Sequence, residues 1–242
     1  MGDVGPATNA LSVVDLRVRY QNGAEGIQGV SLRVPEHSTV AVLGRNGAGK
    51  TSLLRGISGF LRSEHVAVSG LATVGAANVA GMTPSGARRK GVVMVAERDK
   101  IFPSLTIAEH FRMIAPSVPK HEAIGGFDAL ERRWKSRAGL LSGGERQMLA
   151  LAVAWLQHPT VLLVDELSLG LAPVIIKSLL RRLKEMTAET GIATLLVEQD
   201  AATALQVADY VYLLDRGKVV WEGESGSISP EVLGREYLGT ML

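Results

Sequence analysis

Gly44-Arg45-Asn46-Gly47-Ala48-Gly49-Lys50-Thr51 follows directly on the short apolar run Thr39-Val40-Ala41-Val42-Leu43. The eight residues match the phosphate-binding pattern G-x-x-x-x-G-K-[ST]. Glycines at 44, 47 and 49 let backbone N–H groups converge on densely charged phosphates, and a helix opening at the end of the loop adds its positive pole. Lys50 would reach the β- and γ-phosphates of ATP, and Thr51 would place its hydroxyl on Mg²⁺. The bland alternative is an ordinary glycine turn before a helix. Strand, complete pattern and helix (Leu53, Leu54, Ile57) in this order argue against it.

Two more stretches belong with this loop. Val161-Leu162-Leu163-Val164-Asp165-Glu166 is an apolar strand ending in two carboxylates. Asp165 can reach Mg²⁺ directly or through water. Glu166 would then polarise the attacking water, a role that contributes roughly 10²–10⁴-fold in rate. An Asp-Glu pair alone would be a surface turn; the phosphate loop upstream changes that weighting. In Leu141-Ser142-Gly143-Gly144-Glu145, Ser142 and Glu145 have capping-box spacing at the start of a helix. Ser142, Gly143 and Gly144 can present a hydroxyl and bare N–H groups to an anion there. On residues alone, anion site and simple capping box remain equal readings.

Composition bounds the answer. The 242 residues suit one large α/β domain, or one with a helical insertion, and a hydrophobic fraction of 46% can fill a sizeable core. A net charge of +2 is no electrostatic footprint for nucleic acid; Arg88-Arg89-Lys90 and Arg132-Arg133 read as solvated faces. Without cysteine there is no disulfide framework, thiolate metal site or Cys nucleophile, and the five dispersed histidines lack ligand spacing. Met1 to Ala10 has no basic segment followed by an apolar one, and the longest apolar stretch, Met148 to Leu156, is far too short to span a bilayer. The expectation is a chain soluble by itself, reaching a membrane only through a partner.

Strands are expected at Leu11–Tyr20 (alternating Val14, Leu16, Val18, Tyr20), Ile27–Val34, Gly91–Val95, Val161–Val164, Thr194–Val197 and Val211–Leu214. Val66 to Gly81 has no clear assignment. Thr106 to Glu109 has capping-box spacing and starts a helix that Pro116 and Pro119 break; Phe127 to Arg137 reads as helical. The helix opened at Ser142 runs through Leu156, and Pro173 to Glu189 is amphipathic, with Ile176, Leu179, Leu180, Leu183 and Met186 inward. Ser229-Pro230-Glu231 begins a short helix. Strands alternating with helices imply a mainly parallel sheet, and the break in alternation from about Met82 to Leu140 implies an inserted helical subdomain.

Together these motifs resemble the ABC ATPase family. The resemblance implies an α/β P-loop fold with a mainly parallel core sheet, an N-terminal antiparallel β subdomain and an inserted helical subdomain. The core would span about 1–81 and 157–242, the helical and signature part about 82–156. It implies ATP along Gly44, Arg45, Asn46, Gly47, Ala48, Gly49, Lys50, Thr51 and Ser52, with Mg²⁺ on Thr51, Asp165 and Glu97. Tyr20 falls where the family stacks adenine, although a strand tyrosine is more often plain packing. Glu97 takes the place of the glutamine that senses the γ-phosphate and the transmembrane partner, and Gln199 that of the switch histidine. Ser142, Gly143 and Gly144 would contact ATP held by a second subunit, with Ser168-Leu169-Gly170-Leu171 at the dimer seam.

Val95-Ala96-Glu97-Arg98, Ile101-Phe102-Pro103-Ser104-Leu105-Thr106, Ser168 to Pro173, Val197-Glu198-Gln199-Asp200 and Glu236-Tyr237-Leu238-Gly239 are similar to one group. That group is the second ATPase of branched-chain amino acid importers, with its urea and amide relatives. The implied partners are permease subunits, a second ABC ATPase subunit and, indirectly, a substrate-binding protein; the implied place is the cytoplasmic face of the membrane. Leu167 departs from the group's proline and is expected to loosen the turn that aims Glu166. Val153 replaces a usual arginine, and Ala96-Glu97-Arg98-Asp99 replaces Pro-Glu-Gly-Arg. A soluble non-transport ABC ATPase and a weakly active regulatory half of a heterodimer are the rival readings.

Overall fold

The computed structural model describes residues 8–61, 66–97 and 101–234. Arg98, Asp99 and the tail motif Glu236–Gly239 lie outside the described residues. Strands β1 (Asn9–Arg19), β2 (Glu25–Pro35) and β3 (Thr39–Leu43) lead into helix α1 (Lys50–Ser58). Then come β4 (Ala67–Val74), β5 (Ala77–Asn78), α2 (Pro84–Arg89) and β6 (Val92–Val95). A helical stretch follows: α3 (Ile107–Ile114), α4 (Lys120–Ala123), α5 (Asp128–Arg132) and α6 (Gly143–Trp155). The chain closes with β7 (Val161–Asp165), α7 (Pro173–Thr190), β8 (Ala193–Glu198), α8 (Ala201–Ala204), β9 (Tyr210–Asp215), β10 (Lys218–Glu224) and α9 (Pro230–Val232).

These strands form an antiparallel sheet ordered β2-β1-β4-β5 and a six-stranded sheet ordered β10-β9-β3-β8-β7-β6. In the larger sheet β9, β3, β8, β7 and β6 are parallel, and β10 pairs antiparallel with β9. The expected α/β class with a mainly parallel sheet and an antiparallel N-terminal sheet is what the structure has.

Apolar runs become two-sided strands because both faces are covered. Val161 and Leu163 of β7 join one core cluster, with β1, β2 and α1; Leu162 and Val164 join another, with α3, α6 and α7. The same alternation splits β3, where Val40 and Val42 face the first cluster while Ala41 and Leu43 face a third beside α8. Helix α7 turns Leu179, Leu180, Leu183 and Met186 fully inward with Ile176 at the margin, and ends at Gly191 with φ 77°.

Three expectations need correction, and one unassigned stretch gains its elements. Alternation in β1 breaks phase at a bulge between Val13 and Leu16, where Asp15 takes φ 47°. Val13, Leu16 and Val18 are therefore buried together, while Val14 is 50% exposed. Val66 to Gly81, left unassigned by its small residues, supplies β4 and β5, the outer half of the antiparallel sheet. The helix expected over Phe127–Arg137 stops at Arg132. Beyond it, the carbonyls of Trp134 and Ser136 accept the N–H groups of Ala108 and Ile107, at 3.1 Å each. These are first-turn donors of α3 that have no partner within the helix, so the segment is pulled out of its own helical bonding. Finally, β6 lies inside the range given to the helical insertion, yet it is the edge strand of the six-stranded sheet. Too few residues separate it from α2 for the sequence period to mark a boundary.

Both expected capping boxes form: Thr106 with Glu109 opens α3, and Ser142 with Glu145 opens α6. Among the described residues, no helix is long and apolar enough to cross a membrane. Leu149 of α6 is fully buried in the second cluster. Leu149→Ala is expected to lower unfolding free energy by about 2–5 kcal/mol, read from a shifted denaturation midpoint at constant slope.

Candidate active site

Carboxyl ends of four neighbouring strands, β3, β8, β7 and β6, deliver the candidate residues to one edge of the sheet. Register sets Leu43 beside Glu198, Asp165 beside Val197 and Val95 beside Val164. The next residues along each strand are Gly44, Gln199, Glu166 and, two positions on from Val95, Glu97. Ligands of open parallel sheets sit in such a crevice beyond the strand ends.

The phosphate loop crosses this edge under tight constraint. Gly49 has φ 107°, and a Cβ there would collide with the carbonyl oxygen of Gly26. A Cβ on Gly44 would come within 2.5 Å of the carbonyl oxygen of Leu214. The loop backbone is thus pressed between β2 and the end of β9, in a path only glycine permits at these points. Lys50, 5% exposed, follows at the start of α1. Its Nζ donates to the carbonyl of Gly44 at 2.9 Å and lies 3.6 Å from Glu166 Oε1.

A cavity of about 630 Å³ opens over the loop. Asn46, Gly47, Gly49, Lys50, Thr51 and Ser52 line it on one side; Glu97, Glu166 and Gln199 line it on another. Tyr20 sits at its rim just past β1 and also packs against the first core cluster. Its hydroxyl is 2.6 Å from Ser52 Oγ. Gly44 and Ala48 are buried beneath the loop, and Arg45 is exposed without lining the cavity. Sequence reasoning missed Ala24, Glu25 and Gly26 as lining residues. The Asn22-Gly23 turn was the available signal, because it folds β2 back beside Tyr20.

Asp165 lies just below the cavity floor, 2% exposed, and accepts from Thr51 Oγ1 at 3.4 Å. Burial pushes its carboxyl up to about 6; the Thr51 bond opposes this, and the nearby charges of Glu166 and Glu97 add to it. No three His, Cys, Asp or Glu converge into a metal-holding cluster among the described residues. The local donor set is a hydroxyl and a buried carboxylate, with Glu97 close by. Such hard oxygen donors fit a magnesium ion whose remaining positions are taken by phosphate oxygens and water.

Glu166 has φ 47°, a left-handed conformation that costs a non-glycine residue of order 1–3 kcal/mol. Leu167, where the resemblance implies a proline, meets this turn by packing. The Leu167 side chain is 1% exposed, packed into the second core cluster. The Glu166 N–H donates to the carbonyl of Val197 at 2.9 Å. Ser168 donates from N at 3.0 Å and from Oγ at 2.8 Å to the carboxylate of Glu198, a buried residue to which the sequence motif assigns no role. A buried leucine does here, by anchoring, what a proline does by fixing φ.

Ser142, Gly143 and Gly144 do not line the cavity. Ser142 and Gly143 are exposed at the head of α6, while Gly144 is buried, where a Cβ would meet Ile175 of α7 at 2.7 Å. The segment is held by the Ser142–Glu145 capping box and by Arg146, whose Nη1 donates to the Leu141 carbonyl at 2.6 Å. Of its three residues, Ser142 and Gly143 are the ones open to solvent.

A sequence profile of the ABC transporter family matches residues 27–168. The chain belongs to the ABC transporter family. It is an ATPase of that family. It is 33% identical over 228 residues to the high-affinity branched-chain amino acid transport ATP-binding protein BraG of Pseudomonas aeruginosa, covering 91% of this chain and 96% of that one. It is 32% identical over 206 residues to the probable branched-chain amino acid transport ATP-binding protein LivF of Archaeoglobus fulgidus, covering 82% and 86%. Among solved structures, an ATP-binding cassette of an ABC transporter in its ADP conformation superposes with a TM-score of 0.81 at 23% identity, covering 96% of this chain and 100% of that one, a likeness of fold.

Because Leu167 fixes the strained turn, Leu167→Ala is expected to destabilise the fold by about 2–5 kcal/mol. It should also lower ATP turnover; thermal denaturation and a phosphate-release assay check the two effects.

Proposed function

We propose that this chain is the ATP-binding and ATP-hydrolysing subunit of an ABC importer. Its cargo class would be branched-chain or other hydrophobic amino acids, or related small solutes. The observation that carries the ATPase chemistry is the convergence of Lys50, Thr51 with Asp165, Glu166 and Gln199 at one cavity, which the Ser142–Gly144 turn does not line. BraG and LivF support the cargo class; a phosphonates import ATP-binding protein of Rhodopseudomonas palustris, 28% identical over 249 residues, keeps the general reading at importer level.

In this reading the loop N–H groups and Lys50 hold the phosphates, Tyr20 and Ser52 border the base and ribose end, and Glu166 polarises the attacking water. Gln199 and Glu97 face the γ-phosphate end. Magnesium, held by Thr51 and Asp165 with Glu97 nearby, would offset charge developing on the phosphates. Lys50 sits on loop carbonyls and beside Glu166, so phosphate oxygens would replace these acceptors, freeing the Glu166 carboxylate for water. Catalysis is then mostly positioning and charge stabilisation.

The Ser142-Gly143-Gly144 turn, exposed at Ser142 and Gly143, would complete the site of a second ATPase subunit, identical or not. Such a pair would dock on permease subunits at the cytoplasmic face of the membrane, with a substrate-binding protein acting through them.

Glu166→Gln is expected to keep ATP affinity, cut turnover about 10²-fold or more, and accumulate an ATP-bound dimer by size exclusion. Adding Ser142→Arg should abolish that dimer while leaving ATP bound. Full turnover in the first variant would remove Glu166 as the water-polarising group. Pulldown from detergent-solubilised membranes is expected to recover two polytopic permeases and a second ATPase. Recovery with soluble nucleic-acid or ribosomal partners alone would favour a non-transport ATPase.

A further inference from the structure

Glu198 ends β8 with its side chain 1% exposed, and both bonds recorded to its carboxylate come from one residue, Ser168. The Ser168 N–H donates to Oε1 at 3.0 Å and the Ser168 hydroxyl to Oε2 at 2.8 Å. Burial raises this carboxyl to about 6, the two Ser168 bonds pull it down, and the charges of Glu166 and Asp200 push it up. The Ser168 N–H and hydroxyl each meet a separate carboxylate oxygen, so both oxygens are used as acceptors. Burying a carboxylate is costly unless its acceptors are used, so the position of Ser168 is tightly prescribed.

What Ser168 carries makes that prescription consequential. Two residues before it stands Glu166, in a left-handed turn; one residue after it stands Leu169, 55% exposed on the rim of the same cavity. One residue beyond Glu198 stands Gln199, also at the cavity. The carboxylate thus ties the exit of β7 to the exit of β8 at the point where each releases a cavity residue.

We propose that Glu198 is a positioning residue that holds the Ser168–Leu171 segment in register with Glu166 and Gln199. Displacement of that exposed segment by a facing subunit would then be felt at both groups. The inference rests on the reading of the cavity as an ATP-hydrolysing site.

The test compares Glu198→Gln, Ser168→Ala and the double variant for ATP affinity by calorimetry, for kcat and KM, and for melting temperature. Glu198→Gln keeps the shape but loses one acceptor, and is expected to lower kcat about tenfold with KM and affinity within about twofold. Ser168→Ala removes only the hydroxyl bond and should lower kcat about threefold. The double variant should be no slower than Glu198→Gln alone, since both changes act on the one contact between the side chains of Ser168 and Glu198. Unchanged kcat in Glu198→Gln, or multiplicative losses in the double variant, would overturn the proposal. If Glu198→Gln does not fold, Ser168→Ala decides: unchanged kcat overturns it, and lowered kcat at unchanged affinity supports it. A wild-type chain that bound and hydrolysed no ATP would instead remove the underlying reading, and this inference with it.

Discussion

Everything around the cavity hangs from the register of one parallel sheet. Leu43 pairs with Glu198, Val197 with Asp165 and Val164 with Val95. These pairings bring together residues as far apart in sequence as Gly44 and Gln199. A slip of one position in any strand would turn its buried side chains to the opposite face. The alternation of core clusters along β3 and β7 prevents this, because each face has its own close-packed neighbours. Site geometry is therefore a by-product of core packing several residues away.

The phosphate loop adds a second constraint of a different kind. It is pinned sterically, by carbonyl oxygens of Gly26 and Leu214 that leave no room for a side chain. Hydrogen bonding reinforces the contact, since the Gly217 N–H donates to the Ala48 carbonyl at 2.7 Å. The turn at Glu166 is fixed otherwise, by a buried leucine and by bonds across to β8. Two loops facing one cavity thus owe their shapes to different physics, close backbone contact in one and side-chain anchoring in the other.

Much of this was legible in the residues. The phosphate loop, the Asp165-Glu166 pair and both capping boxes have short-range signatures, and all formed where the spacing put them. The bulge at Asp15 was not legible, because a single residue with φ 47° shifts the phase of a strand without changing its composition. Strand β10 also escaped, although Arg216-Gly217, both at positive φ, and the alternation of Val219 and Trp221 were available. The packing of Leu167 is not legible in the chain. Its departure from proline was visible locally, but its burial depends on α6 and α7 arriving from elsewhere. Glu198 was hidden in the same way, since a carboxylate after an apolar strand gives no hint that a serine thirty residues earlier covers it.

The start of α3 has a consequence for how the chain assembles. Thr106 and Glu109 complete part of the helix's first turn from within, but the N–H groups of Ile107 and Ala108 find acceptors only at Ser136 and Trp134. The Phe111 ring then stacks on Trp134 with centroids 5.4 Å apart. During synthesis, α3 emerges well before its acceptors do. An eight-residue helix is marginal in water by itself, so the first turn of α3 is fully bonded only once the chain through Ser136 has been made and folded back on it.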